Sequence, residues 1–117
     1  MFPFFLYRVE DMADFRPVAQ ISEFTNAEDV LVVNYGRFSV LLYEIHGQFF
    51  AMEDRCSHAD VLLSEGEIDF TTCRIQCHKH GAMFDLKNGQ ALTPPAVIGV
   101  KMFDVKIIDQ TIFIAPR

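Results

Sequence analysis

Positive charge is scarce in this sequence. Its 117 residues include 10 Lys and Arg against 16 Asp and Glu, which gives a formal net charge of −6. Binding to nucleic acid needs clustered Lys and Arg that neutralise phosphates, so this balance argues against a nucleic-acid partner. An acidic surface favours a basic partner protein, or it serves only solubility.

Long apolar runs are also missing. The apolar stretch at 2–7 is too short for the core of a signal peptide, no basic residue precedes it, and no small-residue cleavage site follows it. No stretch approaches the length of a membrane span. We therefore expect a cytoplasmic protein that makes no contact with a membrane.

Cysteine is sparse, with three residues, and tryptophan is absent. An odd number of cysteines without an export signal argues against a disulfide scaffold, and Cys close to His in a cytosolic protein indicates metal. Half of the residues are apolar and 22% are charged, as in a globular protein. The length predicts one domain, covering residues 1–117.

What the sequence does contain is short β-type runs separated by turn signals, which predict an all-β sandwich or barrel of antiparallel sheets. The predicted strands cover residues 29–34, 38–45, 48–52, 82–86, 101–108 and 111–115. The predicted turns are Tyr35-Gly36, His46-Gly47, Asn88-Gly89 and Asp109-Gln110.

Other features of secondary structure are minor. Residues 9–15 could form one helical turn, which Pro17 would end. Side chains should alternate between the two faces of each strand, which places Val40, Leu42 and Phe50 in the core.

Residues able to bind a metal form two short groups. Cys56 and His58 are separated by one residue, Cys77 and His80 by two, and 18 residues lie between the groups. Each group follows a β run, so two loops could converge with one thiolate and one imidazole each. Two Cys and two His suit tetrahedral zinc. One Cys and one His in each loop suit a two-iron cluster in which one iron binds both sulfurs and the other binds both imidazoles.

The two groups match the Cys-x-His and Cys-x-x-His pattern of Rieske [2Fe–2S] proteins, and the chain continues as HGAMFDLKNGQALTPP after Lys79. The sequence therefore resembles the Rieske-type ferredoxins of bacterial ring-hydroxylating dioxygenase systems, in outline over residues 29–115. The resemblance implies about three sheets and a cluster-binding subdomain, approximately residues 54–95, with two hairpin loops. It also implies one [2Fe–2S] cluster, bound by Cys56, His58, Cys77 and His80.

The resemblance gives the neighbouring residues their expected roles. Gly81 should allow a sharp turn beside the cluster, and Pro94 and Pro95 should cover its other side. The residues expected to keep water from the sulfurs are Val61, Leu62, Leu63 and Met83. Those expected to stay outside the site are His46 and His78, as exposed polar residues, and Cys73, as a buried inert thiol.

High-potential members of this family carry an extra Cys in each loop, joined by a disulfide, and a Ser and a Tyr that donate hydrogen bonds to the sulfurs. The residues at these positions here are Val61, Lys79, Ala82 and Phe84. Since all four stabilising features are missing, we expect a reduction potential near the low end of the Rieske range, about −150 mV.

A low potential suits a carrier between a flavin reductase and an oxygenase and suits a quinol-oxidising complex badly. No nucleophile, base or substrate pocket is evident in the sequence, so we expect an electron carrier rather than an enzyme. The expected electron source is a flavoprotein NAD(P)H-dependent ferredoxin reductase, and the expected acceptor is a terminal aromatic-ring-hydroxylating oxygenase. The ring edges of His58 and His80 should form the exit route. Six acids between residues 53 and 69 could form a collar that steers a basic docking face: Glu53, Asp54, Asp60, Glu65, Glu67 and Asp69. Two alternatives are a small Rieske-like subunit of a nitrite-reductase-type complex and a structural zinc module.

Overall fold

The computed structural model describes residues 12–57, 60–94, 96 and 98–117, and these form an all-β protein. Two single-turn 3-10 helices, Ile21–Glu23 and Leu63–Glu65, lie wholly within the described residues and accompany the strands. In chain order the strands are β1 Arg16–Gln20, β2 Val30–Tyr35, β3 Phe38–Ile45, β4 Gln48–Glu53, β5 Glu67–Asp69, β6 Arg74–Gln76, β7 Met83–Asp85, β8 Met102–Ile108 and β9 Thr111–Pro116.

All strand pairs in the described residues are antiparallel, and they build two sheets. The larger sheet has six strands in the order β1-β9-β8-β4-β3-β2, and the smaller has β5-β6-β7. The all-β antiparallel prediction is confirmed, but the expectation of about three sheets is not met. Strands β4 and β8 pair at Ala51–Phe103 and Met52–Met102, and this short ladder joins two three-stranded units into one sheet.

Tight two-residue turns set the register of two hairpins. His46 and Gly47 connect β3 to β4 with φ of 51° and 83°, and Asp109 and Gln110 connect β8 to β9 with φ of 49° and 72°. Positive φ at both central residues gives the twist that hairpin strands need. Both turn predictions are confirmed.

Two other turn predictions need correction. Tyr35 pairs with Phe38, so the turn residues between β2 and β3 are Gly36 and Arg37 rather than Tyr35 and Gly36. Asn88-Gly89 does lie in a turn, since the N–H of Gly89 donates to the Asp85 carbonyl over 2.8 Å, but a single bridge, Phe84–Ala91, takes the place of the second strand of a regular hairpin.

The N-terminal helical prediction, residues 9–15, falls partly outside the described part of the chain, which begins at Met12. From there, one turn is closed by the N–H of Phe15, which donates to the Met12 carbonyl over 3.0 Å. Pro17 ends no helix. It lies in β1, an edge strand of the six-stranded sheet, where a missing N–H is tolerated.

Strand β3 is buried on both faces, which the alternation pattern did not predict. Val40 and Leu42 face one core and Leu41 and Tyr43 face another, and all four are 0% exposed. The first core, here called the sandwich core, contains Val33, Val40, Leu42, Ala51, Phe103, Ile112 and Ile114. The second, here called the ligand-side core, contains Leu41, Tyr43, Met52, Cys56, Leu63, Ile75, Cys77, Ala82, Phe84 and Leu86.

The smaller sheet is therefore packed on the outer face of β3 and β4. Tyr43 anchors it there, since its hydroxyl donates to the Leu86 carbonyl in a buried hydrogen bond. Phe50, predicted to be core, is partly buried against the ligand-side core, whereas the predicted core residues Val40 and Leu42 are fully buried.

Candidate metal centre

The second candidate loop is the tip of a β-hairpin. Strands β6 and β7 pair up to Gln76 and Met83, and the loop begins at the next residue on each side. The N–H of Cys77 donates to the Ala82 carbonyl over 2.7 Å, and the N–H of Gly81 donates to the Cys77 carbonyl over 3.0 Å. Gly81 has φ of 75°, a conformation that glycine adopts without strain, so the predicted sharp turn is confirmed.

The first candidate loop closes in the same way. The N–H of Cys56 donates to the Val61 carbonyl over 3.0 Å, so in both loops the cysteine N–H bonds the carbonyl five residues later. The flanking structure differs, however. The first loop runs from β4 in one sheet to β5 in the other, and these strands do not pair. Only the second loop is a hairpin tip, so the prediction of two hairpin loops is wrong for the first.

Burial separates the two kinds of donor. Cys56 and Cys77 are 1% and 0% exposed and belong to the same ligand-side core. His80 is exposed at the tip of the second loop. His58 lies outside the described residues. No disulfide joins the three cysteines, all of which the structure describes.

Two sulfur donors inside and an imidazole at the surface fit a metal centre that is buried on its sulfur side. Within 12–57, 60–94, 96 and 98–117, no group of three or more His, Cys, Asp and Glu side chains converges on one point. Since His58 lies outside these residues, the four-ligand set stays a prediction. The chemistry of the described donors, two thiols in one apolar core beside an exposed imidazole, is compatible with it.

A third segment, residues 93–100, connects to both loops. The hydroxyl of Ser57, the residue directly after Cys56, donates to the Ile98 carbonyl. Thr93 accepts a hydrogen bond from the N–H of Met83 over 2.9 Å. The predicted prolines lie in this segment, where Pro94 is exposed and Pro95 is outside the described residues. Sequence reasoning missed the roles of Ser57 and Thr93, because both depend on contacts distant in sequence.

The apolar residues predicted to shield the sulfurs differ in burial. Leu63 is 0% exposed in the ligand-side core, and Val61 packs against that core from a half-buried position. Met83 is half-buried. Leu62 is 45% exposed, so it does not serve as predicted. It occupies the surface because the 3-10 turn that follows directs Leu63 inward instead.

The remaining His and Cys residues are His46, His78 and Cys73, which were predicted to stay outside the site. His46 is exposed in the β3–β4 turn, and the His78 side chain is 44% exposed with its Nε2 3.9 Å from Glu65 Oε1. Cys73 is half-buried rather than buried, and it belongs to the turn before β6 with φ of 58°. Its thiol lies 3.6 Å from the Phe70 carbonyl.

The predicted acidic collar is only partly present. Asp54 is 3% exposed and therefore contributes nothing to a surface collar. Glu65 and Glu67 line a cleft of about 330 Å³ together with Cys77 and His78. The Asp60 side chain is 92% exposed and lies 3.4 Å from Arg55, so its charge is partly balanced.

Among the described residues, no helix has both the length and the apolar character that a membrane crossing requires.

Comparison with known proteins gives a consistent picture. The model of the Rieske [2Fe-2S] domain matches residues 14–104. A 3-phenylpropionate/cinnamic acid dioxygenase ferredoxin subunit from Photorhabdus laumondii is 37% identical over 75 residues, which are 64% of this chain and 70% of the relative. The anthranilate 1,2-dioxygenase ferredoxin subunit from Burkholderia cepacia is 31% identical over 98 residues, covering 84% of this chain and 88% of the relative.

Structural similarity agrees. A chain in the complex of reduced oxygenase and oxidized ferredoxin in carbazole 1,9a-dioxygenase superposes with a TM-score of 0.76 at 27% identity, covering 87% of this chain and 93% of that one. The resemblance inferred from the two Cys/His groups is confirmed, and the relatives are named as ferredoxin subunits rather than catalytic subunits. The chain belongs to the Rieske [2Fe-2S] domain family.

Proposed function

We propose that this protein is the ferredoxin component of a multicomponent dioxygenase and carries single electrons to its terminal oxygenase. The observation that carries the proposal is the pair of buried thiols, Cys56 and Cys77, at the bases of two loops closed by equivalent hydrogen bonds. The names of the relatives support the same function, since they are ferredoxin subunits of dioxygenases acting on aromatic acids.

The proposed ligands of one [2Fe–2S] cluster are Cys56 and Cys77 on one iron and His58 and His80 on the other. When bound, the cluster supplies a centre that accepts and releases one electron. The chain's own contribution is to bury the thiols in an apolar core, which excludes water from the sulfur side. The exposed position of His80 leaves an imidazole edge near the surface, where a partner can approach.

We further propose a low potential. Ala82 and Phe84 are 0% exposed beside Cys77 and have no hydroxyl to donate to a sulfur. Val61 and Lys79 carry no thiols, so no disulfide between these two positions can clamp the loops. With these stabilising groups missing, a midpoint of about −150 mV follows.

The proposed partners are a flavoprotein NAD(P)H-dependent ferredoxin reductase, as electron source, and a terminal oxygenase acting on aromatic rings. Because the electrons come from NAD(P)H, we place the carrier in the cytoplasm. It would work as a single domain, with the four cluster ligands between residues 54 and 95. The exposed acids Glu65 and Glu67 next to Cys77 favour a basic docking face on at least one partner.

The purified full chain tests the proposal directly. We expect a red-brown protein with two iron and two sulfide per chain, visible bands that bleach on reduction with dithionite, and a rhombic EPR signal of the reduced form. A colourless protein that contains zinc would contradict the cluster. Reduction by NADH through a ring-dioxygenase reductase, followed by reoxidation with its oxygenase and aromatic substrate, tests the carrier role. A cluster that no such reductase reduces would contradict that role.

A further inference from the structure

Asp54 is the only charged side chain that is buried among the described residues, with 3% exposure. Burying a carboxylate is unfavourable unless hydrogen bonds replace its lost water. Both oxygens are satisfied by a single residue, Ser64. The Ser64 N–H donates to Oδ1 and the Ser64 hydroxyl donates to Oδ2, each over 2.7 Å.

This contact closes the first loop across ten residues. Cys56 lies inside it, and so does the smaller closure from Cys56 to Val61. At its start the loop is fixed to the large sheet, since the N–H of Asp54 donates to the Ser39 carbonyl over 2.8 Å. The second loop needs no such contact, because strand pairing at Gln76 and Met83 already closes it.

The segment around Ser64, the second residue of this contact, packs against the second loop. Ser64 belongs to the 3-10 turn that places Leu63, 0% exposed, in the core shared by Cys56 and Cys77. Gly66 follows, and a Cβ added there would lie 1.8 Å from the carbonyl oxygen of Gln76, the residue before Cys77. The segment held by Asp54 is thus packed against the backbone that leads into the second thiol.

We propose that Asp54 is a positioning residue for the metal centre: its carboxylate closes the first ligand loop in place of a strand ladder and holds Cys56 in register with Cys77. This inference rests on the proposed function, because it assigns those two thiols to one site. Asp54 acts through Ser64 and touches no ligand side chain in the described contacts.

Four variants separate this role from a general loss of hydrogen bonds. Asp54→Ala removes both contacts, and Ser64→Ala removes one of them. Asp54→Asn keeps a side chain of the same shape, whose amide oxygen can accept the Ser64 N–H and whose amide nitrogen can donate to the hydroxyl oxygen. The matched control is Asp29→Ala. Asp29 accepts three hydrogen bonds, from the N–H and hydroxyl of Thr25 and the N–H of Asn26, in the connection before β2.

The measurements use the full chain as purified. Hydrogen–deuterium exchange followed by mass spectrometry reports the opening of peptides spanning residues 54–66, and iron content and the half-life of the visible bands report the centre. We expect exchange in this segment to be roughly tenfold faster in Asp54→Ala, with a smaller increase in Ser64→Ala. The iron content should fall most in Asp54→Ala and less in Ser64→Ala. Asp54→Asn and Asp29→Ala should resemble the wild type within about twofold in this segment.

The outcomes are distinguishable. If the wild type holds no [2Fe–2S] cluster, the proposed function fails, whereas the exchange data still show whether Asp54 closes the loop. If the wild type holds the cluster and Asp54→Ala matches Asp29→Ala in exchange and iron, the inference about Asp54 is overturned and the proposed function stands. The closure role is also overturned if Asp54→Asn, shown by circular dichroism to be folded, matches the wild type in neither exchange rate nor iron content.

Discussion

At the scale of single residues, two buried side chains without hydroxyls are central to the proposed potential. Ala82 and Phe84 sit in the ligand-side core at 0% exposure, directly after the second loop. Hydrogen bonds to the sulfurs of an iron–sulfur cluster stabilise the reduced, more negative form. Their absence at these two positions leaves the oxidised form favoured.

Adding the missing hydroxyls should therefore raise the potential. We expect Ala82→Ser and Phe84→Tyr each to shift the midpoint upward by about 40 mV, since one extra hydrogen bond of about 1 kcal/mol to the reduced form corresponds to that shift for one electron. Phe103→Tyr makes the same change at 1% exposure in the sandwich core and should leave the midpoint unchanged. Protein-film voltammetry measures all three, and an unchanged midpoint in both test variants would refute this account of the potential.

The three cysteines offer an internal comparison for the proposed ligands. Cys77→Ser should abolish the visible bands and most of the bound iron, because the thiolate that we assign to the metal is lost. Cys73→Ser should keep both, since this half-buried thiol lies outside the two loops. Likewise His80→Ala should lose the cluster and His78→Ala should keep it. Iron analysis and absorbance decide the assignment, and equal losses in each pair would argue against it.

At the scale of structural elements, the two candidate loops are held together by close backbone packing. Gly66 ends the 3-10 turn after the first loop and lies against the Gln76 carbonyl at the end of β6. The space there admits no Cβ, although its φ of −92° is allowed for any residue. A substitution thus tests packing between the two loops without adding backbone strain at the site itself.

Gly66→Ala should lower the free energy of unfolding by roughly 2–3 kcal/mol, because a Cβ 1.8 Å from a carbonyl oxygen forces the backbone to move. Iron retention should fall as well. Gly47 has open space around a built Cβ, so Gly47→Asn, which tolerates its positive φ, should change stability little. Urea unfolding curves measure both. A Gly66→Ala protein of wild-type stability would show that the loops are not packed this closely.

Tyr43, which anchors the smaller sheet to the larger one, should make stability depend on pH. Burial raises the pKa of the Tyr43 phenol, and the nearby charge of Asp85 raises it further. Because the folded-state pKa lies above the unfolded value of about 10, the unfolded chain loses this proton first as pH rises. The stabilisation is complete below about pH 10 and is lost above it.

We therefore expect the stability of the wild type to decline above about pH 10 with a contribution from Tyr43. Tyr43→Phe should lower stability at neutral pH by about 1–3 kcal/mol, because the buried Leu86 carbonyl loses its donor, and should flatten the alkaline decline. Denaturant titrations at pH 7 and above pH 10 measure both effects. An unaltered alkaline slope in the variant would contradict this assignment.

At the scale of the whole molecule, only some of the acidic residues near the candidate site are placed to attract a basic partner. Of the six acids predicted to form a collar, Asp54 is buried and Asp60 lies beside Arg55, whereas Glu65 and Glu67 line the cleft beside Cys77. Exposed charges near a docking site act mainly on the rate of association and are screened by salt.

Reversing these two charges should therefore slow reduction of the protein by its reductase. We expect Glu65→Lys with Glu67→Lys to lower the second-order rate constant by about tenfold at low salt and to approach the wild type above about 0.3 M salt. Asp14→Lys with Glu28→Lys changes the net charge equally at exposed positions elsewhere. Stopped-flow absorbance measures the rates. Equal slowing by both pairs would indicate an effect of net charge, and no slowing by either would exclude steering.

Local features of this protein were predictable from its amino acids alone. The two Cys/His groups, the turn at Gly81 and the hairpin turns at His46-Gly47 and Asp109-Gln110 depend on neighbouring residues, so their spacing was readable without a structure. The resemblance to the family depends on the same two groups and on the stretch that follows Lys79. The tertiary structure alone decided what depends on distant contacts: the two-sided burial of β3, the exposure of Leu62 and the closure of the first loop by Asp54 and Ser64. A run of acids in sequence gives no sign of which one is turned inward, because that depends on packing between two sheets that meet only when the chain is folded.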